Sequence, residues 1–220
     1  MKLSPHYSKL AALLILSLWG FLGIQINADT PSSNLEVTGN ITETTPLRDT
    51  ENYTAIHRYI TTKYKRITTE NAHTISYELC KQTQDSGLDP LLFASIIAVE
   101  SRFDHNAVGG GNASGLGQFM PGTYRHYKVK NPFNITENIS GMARYIGELN
   151  QMWKQKENVT TLILVSYNRG ETFARRNQHN LGPKALAYVD KVMVHYKNLE
   201  KIKAALPQDS TDDKEVSSLQ

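Results

Sequence analysis

Apolar residues recur at helical spacing through the middle of the chain, from about residue 56 to residue 206. No segment there alternates apolar and polar residues between tight turns, as strands would. We therefore expect a mainly helical, all-α single domain over residues 56–206. The pattern predicts a helix that begins near Pro121 and others over residues 56–64, 71–84, 90–102, 138–150, 159–167 and 183–205.

The helix predicted at 90–102 is the most apolar of these. Asp89 is a good N-cap, and Pro90 suits the first helical position. Because residues 91–99 leave no polar face, this helix should be buried at the centre of the domain. Residues 107–117, by contrast, include five glycines and should form a loop or a small hairpin.

Glu100 closes the apolar run, so its carboxyl should lie where the core gives way to the surface. Partial desolvation and the negative end of the helix dipole both disfavour a carboxylate there, and both should raise its pKa. A carboxyl that stays protonated near neutral pH can donate its proton to a glycosidic oxygen. The alternative is an ordinary polar residue that ends a helix and pairs with Arg102.

The two ends of the chain differ in composition from the domain. Lys2 and Lys9 precede an uncharged run over residues 10–26, which is typical of an export signal. We expect residues 1–28 to be a signal peptide or an N-terminal membrane anchor that places the domain in the periplasm or cell envelope. Residues 29–55 are polar and should form a flexible linker, and 207–220 a disordered tail.

The composition limits which partners and cofactors we expect for this protein. The net charge of +3 suits an anionic wall or membrane surface, but the basic residues are too scattered to predict nucleic-acid binding. Cys80 is the single cysteine and should be a small buried hydrophobe. The seven histidines show no metal-ligand spacing, and His105 should lie at the surface, so we expect no metal or organic cofactor.

Four motifs occur in order along the chain: LDPLL at 88–92, VESRFD at 99–104, ASGLGQFMPGT at 113–123 and SYNRG at 166–170. Together they resemble the soluble lytic transglycosylase (SLT) domain family over residues 71–194. The resemblance implies a lysozyme-like fold related to goose-type lysozyme. It also implies that Glu100 is the single catalytic residue and that the substrate is the glycan strand of peptidoglycan.

The same resemblance implies that five further residues bind the substrate: Ser101, Gln118, Met120, Tyr167 and Asn168. The amides of Gln118 and Asn168 can donate and accept hydrogen bonds, as N-acetyl sugars require. For Met120, an alternative is a core residue that fills a gap. Two glycines depart from the family pattern: Gly117 replaces a usual methionine and Gly109 a frequent serine. These departures predict a more mobile or more open groove wall.

A hydrolase of the usual kind needs a second carboxyl beside the bond. The motifs offer Asp104 alone, which we expect to be structural and to cap the next turn, with a catalytic role as the alternative. A lone glutamate favours non-hydrolytic cleavage that leaves 1,6-anhydromuramic acid ends. Two rival interpretations are a hydrolytic muramidase and a peptidoglycan-binding factor that assembles with a secretion or conjugation machine.

Overall fold

The structure, a computed structural model, describes residues 50–84 and 86–207. All of them belong to one compact unit. They form the following α-helices: α1 (Glu51–Lys63), α2 (Thr69–Thr83), α3 (Pro90–Glu100), α4 (Pro121–His126), α5 (Ile135–Trp153), α6 (Val159–Arg169), α7 (Glu171–Asn177) and α8 (Pro183–Ala204). No strand is assigned within the described ranges, so the predicted all-α fold class is confirmed.

Helix α3 is the central buried helix, as predicted. Phe93, Ile96 and Ile97 are fully buried, and the helix packs against α1, α2 and α8. Asp89 caps it as expected, since its carboxylate accepts the backbone N–H of Leu91 at 2.8 Å. The helix ends at Glu100, earlier than predicted.

Several helix bounds differ from the prediction because of local caps. Helix α1 begins at Glu51, within the segment predicted as linker, because the Thr50 hydroxyl accepts the N–H of Tyr53. Helix α5 begins at Ile135 because Asn134 caps it in the same way. Helix α7 was not predicted. The Cys80 thiol is buried as predicted, and burial raises its pKa to about 11.

The glycine-rich loop, residues 107–117, is neither a strand pair nor a plain coil. Isolated antiparallel bridges join Val108 to Ser114 and Ser114 to Phe119, and Gly110–Asn112 forms one turn of 3-10 helix. In the described part of the chain no helix is long and apolar enough to cross a membrane. The export segment predicted at 1–28 lies outside that part, as do the linker up to residue 49 and residues 208–220 of the tail.

Candidate active site

Glu100 is held at the carboxyl end of α3 by a residue of the last helix. The Tyr188 hydroxyl on α8 donates a hydrogen bond of 2.6 Å to Oε1 of Glu100. Glu100 itself is only partly exposed, while Tyr188 is buried. The alternative in which Glu100 pairs with Arg102 is not borne out, because no ion pair joins the two among the described residues.

The pKa of the Glu100 carboxyl is raised above its ordinary value of 4.5, as predicted. Burial raises it by penalising the charged form, and the hydrogen bond from Tyr188 partly offsets the rise because it stabilises the carboxylate. Burial and the nearby Glu100 charge raise the pKa of Tyr188 well above 10, so this phenol remains a donor. The carboxyl can therefore hold a proton at higher pH than usual and still be stabilised after it gives that proton away.

Tyr167 comes close to Glu100 from helix α6. Burial raises the pKa of its phenol, and the next largest cause is the charge of Glu100. Its hydroxyl donates to the carbonyl of Gly117 at 2.7 Å. The ring also packs near those of Phe119 and Tyr145. The structure thus brings two of the predicted motifs together around the carboxyl.

Gly117, whose carbonyl accepts the hydrogen bond from Tyr167, is held in place by Asn138, a fully buried residue of α5. Its Oδ1 accepts the N–H of Gly117 at 2.9 Å, and its Nδ2 donates to the carbonyl of Pro132 at 2.8 Å. Gly115, at φ +77°, allows this approach, because a Cβ there would lie 1.9 Å from the Pro132 oxygen. Asn138 therefore positions the backbone of Gly117, which forms the wall of the site and bonds to Tyr167.

The side chain of Gln118 links two parts of the glycine-rich loop through hydrogen bonds. Its Nε2 donates to the carbonyls of Ala107 at 3.1 Å and Gly115 at 2.9 Å. Its backbone has φ +49°, which is strained for a residue with a side chain. In this conformation both amide hydrogens hold the loop, which leaves Oε1 as the group able to accept from a ligand.

Gly109 and Gly117 both lie close to side chains of the site, and the more mobile or more open groove wall expected from them stays a prediction. A Cβ on Gly109 would lie 2.3 Å from Oε1 of Gln118, and one on Gly117 would lie 2.6 Å from the Tyr167 hydroxyl. The glycines permit close packing, because side chains of the site occupy the space that a larger residue would need.

The remaining candidate residues differ in exposure. Met120 is 47% exposed and lies over Gly111, so the alternative of a core residue is wrong. Asn168 is exposed at the end of α6. Ser101 is buried, and its hydroxyl donates to the carbonyl of Ile97, so it ends helix α3. Asp104 accepts the N–H of Asn106 at 2.9 Å, the capping role that was predicted.

Tyr188 and Asn138 were missed by sequence reasoning. Tyr188 could have been suspected, since it shares the apolar face of α8 with Ala185 and Val192 and carries a hydroxyl that needs a partner when buried. Asn138 gave no such indication, because its role depends on loops that meet it only in the folded chain. No group of three potential metal ligands is found within residues 50–84 and 86–207.

Comparisons with known proteins agree with these features. The family model described as "Transglycosylase SLT domain" matches residues 79–188. The chain is 35% identical over 106 residues to "Transglycosylase" of Enterobacteria phage PRD1, across 48% of this chain and 37% of that protein. It is 27% identical over 158 residues to "Membrane-bound lytic murein transglycosylase D" of Escherichia coli (strain K12), across 70% of this chain and 31% of that protein. The chain thus spans about a third of the length of these relatives.

Proposed function

The chain belongs to the transglycosylase SLT domain family, and on this premise we propose that it is a peptidoglycan lytic transglycosylase with Glu100 as its single acid and base. The bond cleaved joins N-acetylmuramic acid to N-acetylglucosamine, and no water is consumed. The observation that carries the proposal is the partly buried carboxyl of Glu100, held by the Tyr188 hydroxyl at 2.6 Å.

The reaction begins with proton transfer from Glu100 to the glycosidic oxygen. The bond from C1 of the muramic acid to that oxygen breaks, and C1 develops oxocarbenium character. The C6 hydroxyl of the same sugar then attacks C1 and returns its proton to the Glu100 carboxylate. Bond formation balances bond cleavage, the enzyme regains its proton, and the product end is a 1,6-anhydro sugar.

Tyr188 stabilises the Glu100 carboxylate at the intermediate stage of this cycle. Between the two proton transfers Glu100 is a carboxylate in a desolvated position, which is unfavourable without a donor. The Tyr188 hydroxyl supplies that donor and stays protonated because its own pKa is strongly raised. The same residue pair therefore suits both halves of an acid-then-base reaction.

The charges around Glu100 support cleavage without water. Among the described residues, the pKa of Glu100 responds to burial and to Tyr188, and not to a second carboxyl. Asp104 is the nearest acid in sequence, and it is exposed and bonded to the backbone of Asn106. A hydrolytic route would need another carboxyl to activate water, and the causes of the Glu100 pKa shift include no such group.

Four residues near Glu100 are proposed to contact the substrate. Met120 and Asn168 are exposed on elements that flank Tyr167 and the glycine-rich loop, so they can contact sugar rings. Gln118 offers its Oε1, and Tyr167 lies beside the reacting carboxyl. Ser101 is buried and bonded to the carbonyl of Ile97, so its part in the proposal is to support the end of α3.

The test is product analysis on purified peptidoglycan. We expect wild-type protein to release fragments with anhydro ends, lighter by one water than reducing ends, as read by mass spectrometry. Glu100→Gln should lose at least about a hundredfold in rate because the proton donor is gone. The matched variant Asp104→Asn should keep its activity. Reducing ends would make the protein a muramidase, and a fully active Glu100→Gln would remove the central claim.

We further propose that the protein acts in the cell envelope. An exported domain carrying polar segments before and after it suits local opening of the wall for an envelope-spanning secretion or conjugation machine, with attachment to the inner membrane through residues 1–28. Fractionation of cells should recover the full chain with the envelope. Deletion of 208–220 should reduce capture of machine components in a pull-down without reducing cleavage, and recovery in the cytoplasm would contradict the proposal.

A further inference from the structure

A basic cavity of about 900 Å³ is lined by residues of α1, α2, α3 and α8 and of the loops that follow α1 and α3. Its lining includes one tyrosine and five charged residues: Lys63, Tyr64, Lys65, Arg66, Arg102 and Asp104. We call the space that these residues line the basic cavity. Glu100, Tyr167 and Tyr188 do not line it. Ala98 does, and it lies about 200° around α3 from Glu100, so the cavity and the active site occupy different faces of the helix.

The cavity carries an excess of positive charge. Four of its residues, two lysines on α1 and its following loop and two arginines, are cations, and Asp104 is its only carboxylate. Among the described residues, the ion pair that forms is Lys203–Glu51, remote from these groups, so none of the four cations is paired with an acid. His195, which also lines the cavity, adds little charge because burial and then Lys63 lower its pKa.

Two of the cations make hydrogen bonds within the protein that orient them toward the cavity lining. The Lys63 ammonium donates to the Tyr59 hydroxyl at 3.2 Å and lies 5.9 Å from the centre of the Tyr64 ring. The Lys65 ammonium donates to the carbonyl of Thr61 at 3.0 Å. Arg102 also approaches this point, since its charge and that of Lys63 both act to lower the pKa of Tyr64, which burial raises. Side chains ordered in advance lose less entropy when they bind an anion.

The uncharged lining indicates what kind of anion fits. Asn71 and Asn106 contribute amides that can both donate and accept, as a peptide backbone requires, and Ile67 and Ala98 contribute apolar surface. A lone inorganic anion would leave most of the volume and both amides unused. A short peptide with more than one carboxylate would use all three kinds of lining.

We propose that the basic cavity is a binding site for an acidic peptide, and that in the wall it holds the carboxylate-bearing peptides attached to the glycan strands. The assignment to wall peptides rests on the proposed function. Because the cavity lies across α3 from Glu100, the bound peptide anchors the enzyme to its polymer and leaves the groove free for the bond to be cut. Loss of the cavity should therefore raise KM for peptide-bearing substrate and leave kcat unchanged.

The direct test is binding of a labelled peptide to the full chain. The probe is fluorescein-labelled Ala-Glu-Ala-Glu with a free carboxyl terminus, followed by anisotropy, and its uncharged counterpart is Ala-Gln-Ala-Gln amide. We expect the acidic peptide to bind and the double variant Lys65→Glu/Arg66→Glu to weaken it about tenfold or more, since two attractions become repulsions. The matched variant Lys154→Glu/Lys156→Glu makes the same charge change on exposed residues elsewhere and should bind like wild type.

Three outcomes would overturn the assignment: equal binding of the uncharged peptide, equal binding by Lys65→Glu/Arg66→Glu, or displacement by inorganic phosphate at concentrations no higher than those of the unlabelled peptide. A second arm compares cleavage of intact peptidoglycan with cleavage of glycan strands freed of peptides. The double variant should raise KM for the intact polymer alone. If wild-type protein cleaves neither substrate, the proposed function fails, while the peptide-binding result stands or falls by anisotropy.

Discussion

The Tyr188 hydroxyl donates to the carboxyl of Glu100 at 2.6 Å, across 88 residues of sequence. A second phenol on the same helix, Tyr196, donates to Asp89 at 2.5 Å at the other end of α3. Helix α8 therefore contacts α3 at both ends and fixes the direction in which Glu100 points. The position of the proposed acid depends on this pair of helices rather than on α3 alone.

Tyr188→Phe should shift the pH dependence of cleavage. Removal of the donor takes away the interaction that lowers the pKa of Glu100, so that pKa rises further. Because the protonated form starts the reaction, the alkaline limb of the kcat/KM profile should move to higher pH. The maximal kcat should fall about tenfold, since the Glu100 carboxylate loses a charge-assisted hydrogen bond. Initial rates over a pH series measure both effects.

Tyr196→Phe is the matched control for this shift. It removes a phenol from the same helix that also bonds a carboxylate, but at the start of α3. We expect the alkaline limb to stay where it is in wild type. An equal movement in both variants would mean that the effect comes from general loosening of α8 and not from the contact with Glu100.

Glu100→Gln should become more stable relative to wild type as pH rises. The folded-state pKa of Glu100 is raised above 4.5, so the folded protein binds the proton more tightly than the unfolded chain. The corresponding stability is present below pH 4.5 and is lost as pH rises through the folded pKa. Denaturant unfolding below pH 4.5 and at neutral pH measures the difference between the two proteins. A difference that stays constant with pH would contradict the raised pKa.

Gly117→Ala should disturb the wall that receives Tyr167. The new Cβ would lie 2.6 Å from the Tyr167 hydroxyl and 2.8 Å from the sulfur of Met142, a fully buried residue. We expect the free energy of unfolding to fall by about 1–3 kcal/mol and the cleavage rate to fall as well. Gly122→Ala is the control, because nothing lies within 4 Å of its added Cβ. Equal behaviour of the two variants would show that the close approach at Gly117 is unimportant.

Asn138→Ala should destabilise the same wall from behind. The buried N–H of Gly117 would lose its acceptor and the half-buried carbonyl of Pro132 its donor. An unsatisfied buried group costs about 1–3 kcal/mol, so the denaturant midpoint should fall clearly. Activity should fall with it, because Gly117 carries the carbonyl on which Tyr167 rests. An unchanged midpoint would show that Asn138 does not hold the loop.

The apolar run of α3 was sufficient to predict a central buried helix with a carboxyl at its end. No water-exposed face is available on such a helix, so burial follows from composition alone. The cap at Asp89 was also predictable, because a helix start is decided by the residues beside it. The early start of α1 at Glu51 was missed because the Thr50 cap lies within a polar segment without apolar periodicity.

The features of the site also fall into two groups: those set by neighbours along the chain and those set by tertiary contacts. The sequence by itself determined that Glu100 closes an apolar helix and that its pKa is raised, since both depend on near neighbours along the chain. Only the tertiary structure decided that Tyr188 is its donor, that Asn138 holds Gly117, and that side chains of the site pack closely against Gly109 and Gly117. These contacts join residues from different helices and loops, and their distances are set by how the helices pack, which no local pattern encodes.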